Sequence, residues 1–143
     1  MRANLLRRVR KRLTDTHHWA RYALARDKVG DRVSDPNDQE AVSWCLNGAL
    51  AKEWPAMKTT NRGTFSFPRS APEAKQLDIL CQLASKMIHE REPDLITTRG
   101  WSTIQVNNEL GHAAVLELLD QAIQEYDLPE DAVHPPRGIP APT

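Results

Sequence analysis

A chain of 143 residues, 40% of them hydrophobic, can bury the core of one domain without a disulfide or metal staple. Lys+Arg and Asp+Glu both number 19, so the net charge is zero, which speaks against the bulk attraction of a dedicated nucleic-acid binder. The apolar runs are only a few residues long, far short of the roughly 20 that a bilayer-spanning helix requires, so no membrane span is expected.

The charge is unevenly laid out. Residues 1–32 carry ten Lys/Arg against three Asp/Glu, a net +7, and residues 109–143 carry one Arg against seven Asp/Glu, a net −6. The first segment, residues 4–13, places Leu5, Leu6, Val9 and Leu13 at helical spacing among basic residues, which predicts a basic amphipathic helix. Its start is arginine-rich with no apolar core, so it does not read as a secretory signal, and a cytoplasmic location is expected. Residues 19–33 contain Gly30 in the turn-like run from Asp27 to Asp31, consistent with a small hairpin or an irregular loop.

From Ser34 to Asp38 the chain offers N-cap residues and Pro36 ahead of Ala41, Val42, Cys45, Leu46, Ala49 and Leu50, predicting a helix over 37–54. Residues 55–70, with Pro55, Gly63 and Pro68, predict a long loop. Ser70, Pro72 and Glu73 have the spacing of a capping box ahead of Leu77, Leu80, Cys81, Ala84, Met87 and Ile88, predicting a helix over 72–91. Residues 95–106 read as a short extended or turn-linked piece. Asn107 or Asn108 then caps a helix over 109–126 whose stripe is Val115, Leu116, Leu119, Ala122, Ile123 and Tyr126. The expected fold is mostly α: a compact four-helix domain over residues 1–128 with at most a short two- or three-stranded β piece. Trp44, Cys45, Leu80, Cys81, Trp101, Leu116 and Leu119 are expected in the core, with Trp54 open to either placement. Residues 129–143 hold Pro129, Pro135, Pro136, Pro140 and Pro142 and read as a proline-rich tail suited to polyproline II.

Several short runs form one pattern: Ala25-Arg26-Asp27 with Gly30, the block from Ala41 to Leu50, Ile104 with Asn107, and the stretches His112–Leu116 and Leu119–Ile123. The pattern resembles domain of unknown function family 6197 over about residues 17–126. The W-C-x-x-G-A-L block is its best part. The sequence departs from the family where Trp-Asn-Asp is expected, carrying Val106-Asn107-Asn108 instead. The resemblance implies a compact bacterial or phage domain and brings no activity with it.

Three functional readings follow from the residues. A thiol hydrolase or acyltransferase would use Cys45 with His112 as base and Asn107 or Asp27 orienting the ring. Against it, Cys45 is expected well inside its helix on the apolar face, where a buried small hydrophobe is the better explanation, and His112 is expected to cap or pack near a helix start. A protein-interaction module, possible also as a self-associating one, would use Arg7, Arg8, Lys11 and Arg12 on the basic helix and Pro135, Pro136 and Arg137 in the tail. A nucleic-acid accessory would use the same N-terminal arginines. His17, His18, His89, His112, His134 and the two cysteines show no metal-ligand spacing, and the six glycines form no phosphate loop, so no metal or cofactor is expected. The non-enzymatic interaction module is the preferred reading.

Overall fold

The computed structural model describes residues 2–98 and 100–128. The described chain is mostly helical, with two small antiparallel sheets. In chain order the elements are α1 (Asn4–Leu13), a 3-10 turn (Thr16–His18), β1 (Ala25–Arg26), β2 (Arg32–Val33), β3 (Ser43–Trp44), α2 (Leu46–Glu53), β4 (Lys58–Thr59), β5 (Phe65–Ser66), α3 (Glu73–Arg91), α4 (Ser102–Gln105), a π-turn (Val106–Leu110) and α5 (His112–Asp127).

The basic helix α1 is part of the core. Leu5, Leu6, Val9 and Leu13 are fully buried, packing on α2 and α5, while α3 lies against α5. Each such side chain contributes about 1.5–3 kcal/mol on burial, so α1 is anchored by its apolar stripe. No side chain of its own caps it. Its orphan donors are met from outside: Ala3 N–H donates to Asp127 Oδ1 at 2.8 Å and Leu6 N–H to the buried Gln76 Oε1 at 3.1 Å.

The lopsided charge of the sequence closes on itself in three dimensions. Arg7 pairs with Asp127, Arg10 with Asp120 at 2.9 Å, and Arg12 with Glu53 at 2.7 Å, with Arg8 reaching the same glutamate at 3.5 Å. The Arg12 guanidinium also sits 4.6 Å over the Trp44 ring.

The W-C-x-x-G-A-L block is where strand gives way to helix. Trp44 ends β3, pairing with Ala25 of β1, and its indole N–H donates to Pro36 O at 2.9 Å. Cys45 then caps α2, and Ala49 and Leu50 enter the core. Gly48 is required by space: a Cβ there would stand 1.9 Å from Leu24 O, so only glycine lets the chain before β1 lie against α2.

Several expectations are corrected. The helix expected over 37–54 starts only at Leu46. Asp35 and Asp38 instead close tight turns onto Asn37 and Glu40, and β3 occupies the intervening stretch, leaving Val42 exposed. Residues 102–110, expected extended in part, are helical, giving five α-helices among the described residues rather than the expected four. The capping box of Ser70 and Glu73 does not form, since α3 begins at Glu73 behind Pro72 with no side-chain cap. Asn107 and Asn108 lie in the π-turn, and Gly111, at φ 95°, stands as the cap of α5. Trp101 is 40% exposed, and Leu116 is only half-buried because Leu118 takes the inward position. The loop over 55–70 carries the short β4–β5 hairpin, and Trp54 is buried against Phe67. The proline-rich tail lies outside the described residues.

Candidate functional site

A cleft of about 460 Å³ opens where the β1–β2 hairpin, the start of α2, the β4–β5 turn and the π-turn meet. Its volume falls in the usual range for ligand sites, roughly 300–1,000 Å³. Arg32, Ser34, Asn61, Arg62 and Tyr22 form its exposed rim, and Asn47 and Asn107, almost wholly buried, its inner side. Cys45 lines it as well.

Cys45 corrects the sequence expectation most sharply. It is the N-cap of α2 rather than an interior residue, and it is half-buried in the cleft wall rather than in the core. Its Sγ accepts the Gly48 N–H at 3.2 Å. Burial pushes the thiol up to about 11, and the amide donors of Gly48, Asn47 and Cys45 itself offset this only in part. At neutral pH the group is a protonated thiol.

His112 does not join it. The imidazole Nε2 is 2.6 Å from Leu13 O, and the ring lies 5.3 Å from the Trp19 indole in a tilted stack, so it ties α5 to the end of α1. No hydrogen bond links His112 to Cys45 among the described residues, and His112 does not line the cleft. Asp27 is likewise committed: its Oδ1 accepts Val29 N–H at 3.0 Å and Asp31 N–H at 2.9 Å, which builds the hairpin turn. Of the four thiol-site candidates, the fold brings Cys45 and Asn107 together and leaves His112 and Asp27 elsewhere.

Asn107 is the joint of the site. Its Oδ1 accepts the Trp19 indole N–H at 2.7 Å and the Leu46 N–H at 3.0 Å, while Nδ2 donates to Ala20 O and Asn108 Oδ1, both at 3.0 Å. The neighbouring Asn108 Oδ1 also accepts Tyr22 N–H at 3.0 Å. That bond braces Tyr22 at φ 64°, a left-handed backbone unusual for a bulky residue, with its side chain 54% exposed at the rim.

The electrostatics of the lining are one-sided. Among the described residues it contains Arg32 and Arg62 and no carboxylate, and neither arginine forms an ion pair. The arginine pair, Tyr22 and Asn47 were not singled out from sequence, and Asn108 was read only as a helix cap and as a departure from the family pattern. Only Asn47, inside the W-C-x-x-G-A-L block, stood in a recognisable motif. The partner-binding candidates Arg7, Arg8, Lys11 and Arg12 all lie on α1, with Arg7, Arg8 and Arg12 engaged in the ion pairs described above. Pro135, Pro136 and Arg137 lie outside the described residues. Among the described residues no group of three or more His, Cys, Asp or Glu side chains converges as a metal site would require, and no helix is long and apolar enough to cross a membrane.

The family of unknown function DUF6197 matches residues 1–125. The chain belongs to this family. The match takes in α1, which the resemblance over about residues 17–126 had left out, and the burial of Leu5, Leu6, Val9 and Leu13 explains why a DUF6197 domain would include that helix. No curated protein and no solved structure is significantly similar to the chain.

Proposed function

We propose that this DUF6197 domain is a non-enzymatic protein-interaction module, and that its cleft takes an extended, acidic segment of a protein partner along the free edge of β2. The observation that carries the reading is the coincidence, in one cleft, of an open strand edge with two arginines that form no ion pair among the described residues.

The sheet order is β2-β1-β3, so among the described residues β2 has a neighbouring strand on one side only. Asp27 N–H donates to Asp31 O at 2.9 Å, which makes the 27–31 pair a bonded pair of the antiparallel ladder. The alternation of such ladders then turns the backbone groups of Val33 toward Ala25 and those of Arg32 and Ser34 outward. Arg32 and Ser34 both line the cleft. An added strand would find peptide donors and acceptors there, with positive charge from Arg32 and Arg62 on the same rim; backbone pairing supplies affinity and the charges supply selectivity.

The α1 arginines support this reading by their engagement: Arg7, Arg8, Arg10 and Arg12 face Asp127, Glu53 and Asp120, whereas Arg32 and Arg62 at the cleft have no ion-pair partner among the described residues. The thiol-enzyme reading is less favoured because, among the described residues, the lining holds neither a histidine nor a carboxylate to accept the Cys45 proton.

The test is fluorescence anisotropy with two labelled, acetylated and amidated hexapeptides, one alternating Glu and Val and the other alternating Lys and Val. The acidic peptide should bind and weaken with added salt, since exposed charges are screened beyond about 10 Å at 0.1 M. Arg32→Glu combined with Arg62→Glu, checked for folding by circular dichroism, should reverse the preference. N-methylation of alternate peptide amides should abolish binding. Equal binding of both peptides, or full competition by inorganic phosphate alone, would sink the proposal.

A further inference from the structure

We infer that the inner side of the cleft, where Asn47 and Cys45 meet it, is a neutral subsite that takes a primary carboxamide. In a protein partner this would be an asparagine or glutamine side chain of the bound segment, so the inference rests on the reading above.

Asn47 is 1% exposed and lines the cleft. Its Nδ2 donates to Gly63 O at 2.7 Å, in the turn between β4 and β5, and that bond fixes which way the carboxamide faces. Its Oδ1 is then left buried with no hydrogen-bond partner among the described residues. Buried acceptors are normally paired, so an unpaired one on the wall of a cleft points to an absent donor. An anion does not fit at this spot, because its oxygen lone pairs would face those of Asn47 Oδ1; the arginines that would welcome an anion are on the exposed rim.

Cys45 supplies the complementary half. Its sulfur already accepts the Gly48 N–H at 3.2 Å, and the remaining S–H is a weak donor. Because burial keeps the thiol protonated, that donor persists at neutral pH. One acceptor and one donor on the same wall match the N–H and the carbonyl oxygen of a single carboxamide. A carboxylate would lack the N–H, and a thioether would offer neither. The ligand that results is amphoteric in layout: acidic at the rim, neutral and amide-bearing inside.

The direct test uses propionamide, propionate and butanone as probes of the intact protein, followed by ¹H–¹⁵N NMR. Propionamide should shift the Asn47 side-chain amide and the Gly48 and Gly63 backbone signals saturably, whereas propionate and butanone should leave them in place. Cys45→Ala should weaken the propionamide response without moving the Asn47–Gly63 signals of the free protein. Equal shifts with butanone, or no shift with propionamide, would overturn the inference.

A second arm separates this inference from the proposed function. In the acidic hexapeptide, each Val is replaced in turn by Gln, Glu or Met. One position should prefer Gln over both others by about tenfold, toward the lower part of the discrimination expected when a buried polar group is left unpaired by the wrong ligand. If acidic peptides bind but no position prefers Gln, the subsite is refuted and the strand-addition reading stands. If propionamide binds at Asn47 but no acidic peptide binds anywhere, the subsite stands and the strand-addition reading is refuted.

Discussion

The Asn107 carboxamide oxygen accepts the Trp19 indole N–H at 2.7 Å, across 88 residues of chain, and the same oxygen takes the first amide of α2 from Leu46. One side chain thus holds the π-turn, the segment leading into β1 and the helix that begins at the cleft. Asn107→Ala would leave the Leu46 N–H and the Ala20 carbonyl buried without partners. The expected cost is about 2–6 kcal/mol, built from roughly 1–3 kcal/mol for each of the two buried groups left unpaired. Chemical denaturation followed by tryptophan fluorescence checks it; a change below about 1 kcal/mol would refute the keystone role.

The helices were legible where an apolar stripe runs uninterrupted, as in α1 and α3, because helical period is written directly in the spacing of Leu5, Leu6, Val9 and Leu13 or of Leu77, Leu80, Cys81 and Ala84. The same rule misled at residues 37–45. Val42 and Cys45 fit a helical stripe continuing into Leu46 and Ala49, but β1 recruits Ser43 and Trp44 into a strand pair, a long-range choice that spacing does not record. That single error hid the N-cap position of Cys45, and with it the cleft. Arg32, Arg62 and Tyr22 come from turns, where no periodicity marks a residue as facing a common space. Asn107 and Asn108 read as helix caps by residue type. Their side chains instead reach Trp19, Leu46, Ala20 and Tyr22.

Gly48→Ala tests the junction behind the cleft. The added Cβ would meet the Leu24 carbonyl at 1.9 Å, a backbone atom that cannot swing aside as a side chain would. Overpacking in cores costs about 1–3 kcal/mol, and a clash with backbone belongs at or above the upper end. A fall in thermal midpoint with loss of the β1–β3 pairing by hydrogen exchange is the expected result. Gly30→Ala is the comparison: it has open space at its Cβ, and its cost should come from its φ of 91° alone.

Tyr22 is held at φ 64°, with Asn108 Oδ1 receiving its N–H. Tyr22→Gly should relieve backbone strain of about 1 kcal/mol or more. The same change strips an aromatic side chain from the cleft rim. Stability should therefore rise or hold while peptide affinity falls. A variant that loses both would show that the tyrosine ring, not the cleft, is what the strain supports. Urea denaturation and anisotropy on the same preparation separate these outcomes.

At the far end of α1, the Arg7 guanidinium, with help from the Ala3 N–H, holds the Asp127 carboxyl below its ordinary range. A depressed folded-state value stabilises the fold above the ordinary carboxylate range, and that stabilisation is lost as pH falls through the folded value. The acid limb of the stability curve should therefore be shallower in Asp127→Asn than in the wild type. At pH 7 the same substitution should cost only about 0–1 kcal/mol for the exposed pair, because salt and solvent screen it. The measurement is the urea midpoint between pH 2 and 7.

The Cys45 thiol carries the opposite sign. Burial raises it from 9.0 to about 11, so the folded state holds its proton more tightly than the unfolded chain does. Its contribution to stability is complete below pH 9 and is lost as pH rises through 11, and Cys45→Ser should lack that alkaline decline. Reactivity follows the same proton. Alkylation by iodoacetamide in a Cys81→Ala background should be slow at pH 7 and climb about tenfold per pH unit toward 11, since the thiolate is the nucleophile. His112→Ala should leave the profile unchanged, because the imidazole is bound to Leu13 O beside Trp19 and does not line the cleft. A fast reaction at pH 7 that disappears in His112→Ala would mean that His112 leaves Leu13 to reach the thiol, and the cleft would then have to be read as a catalytic site.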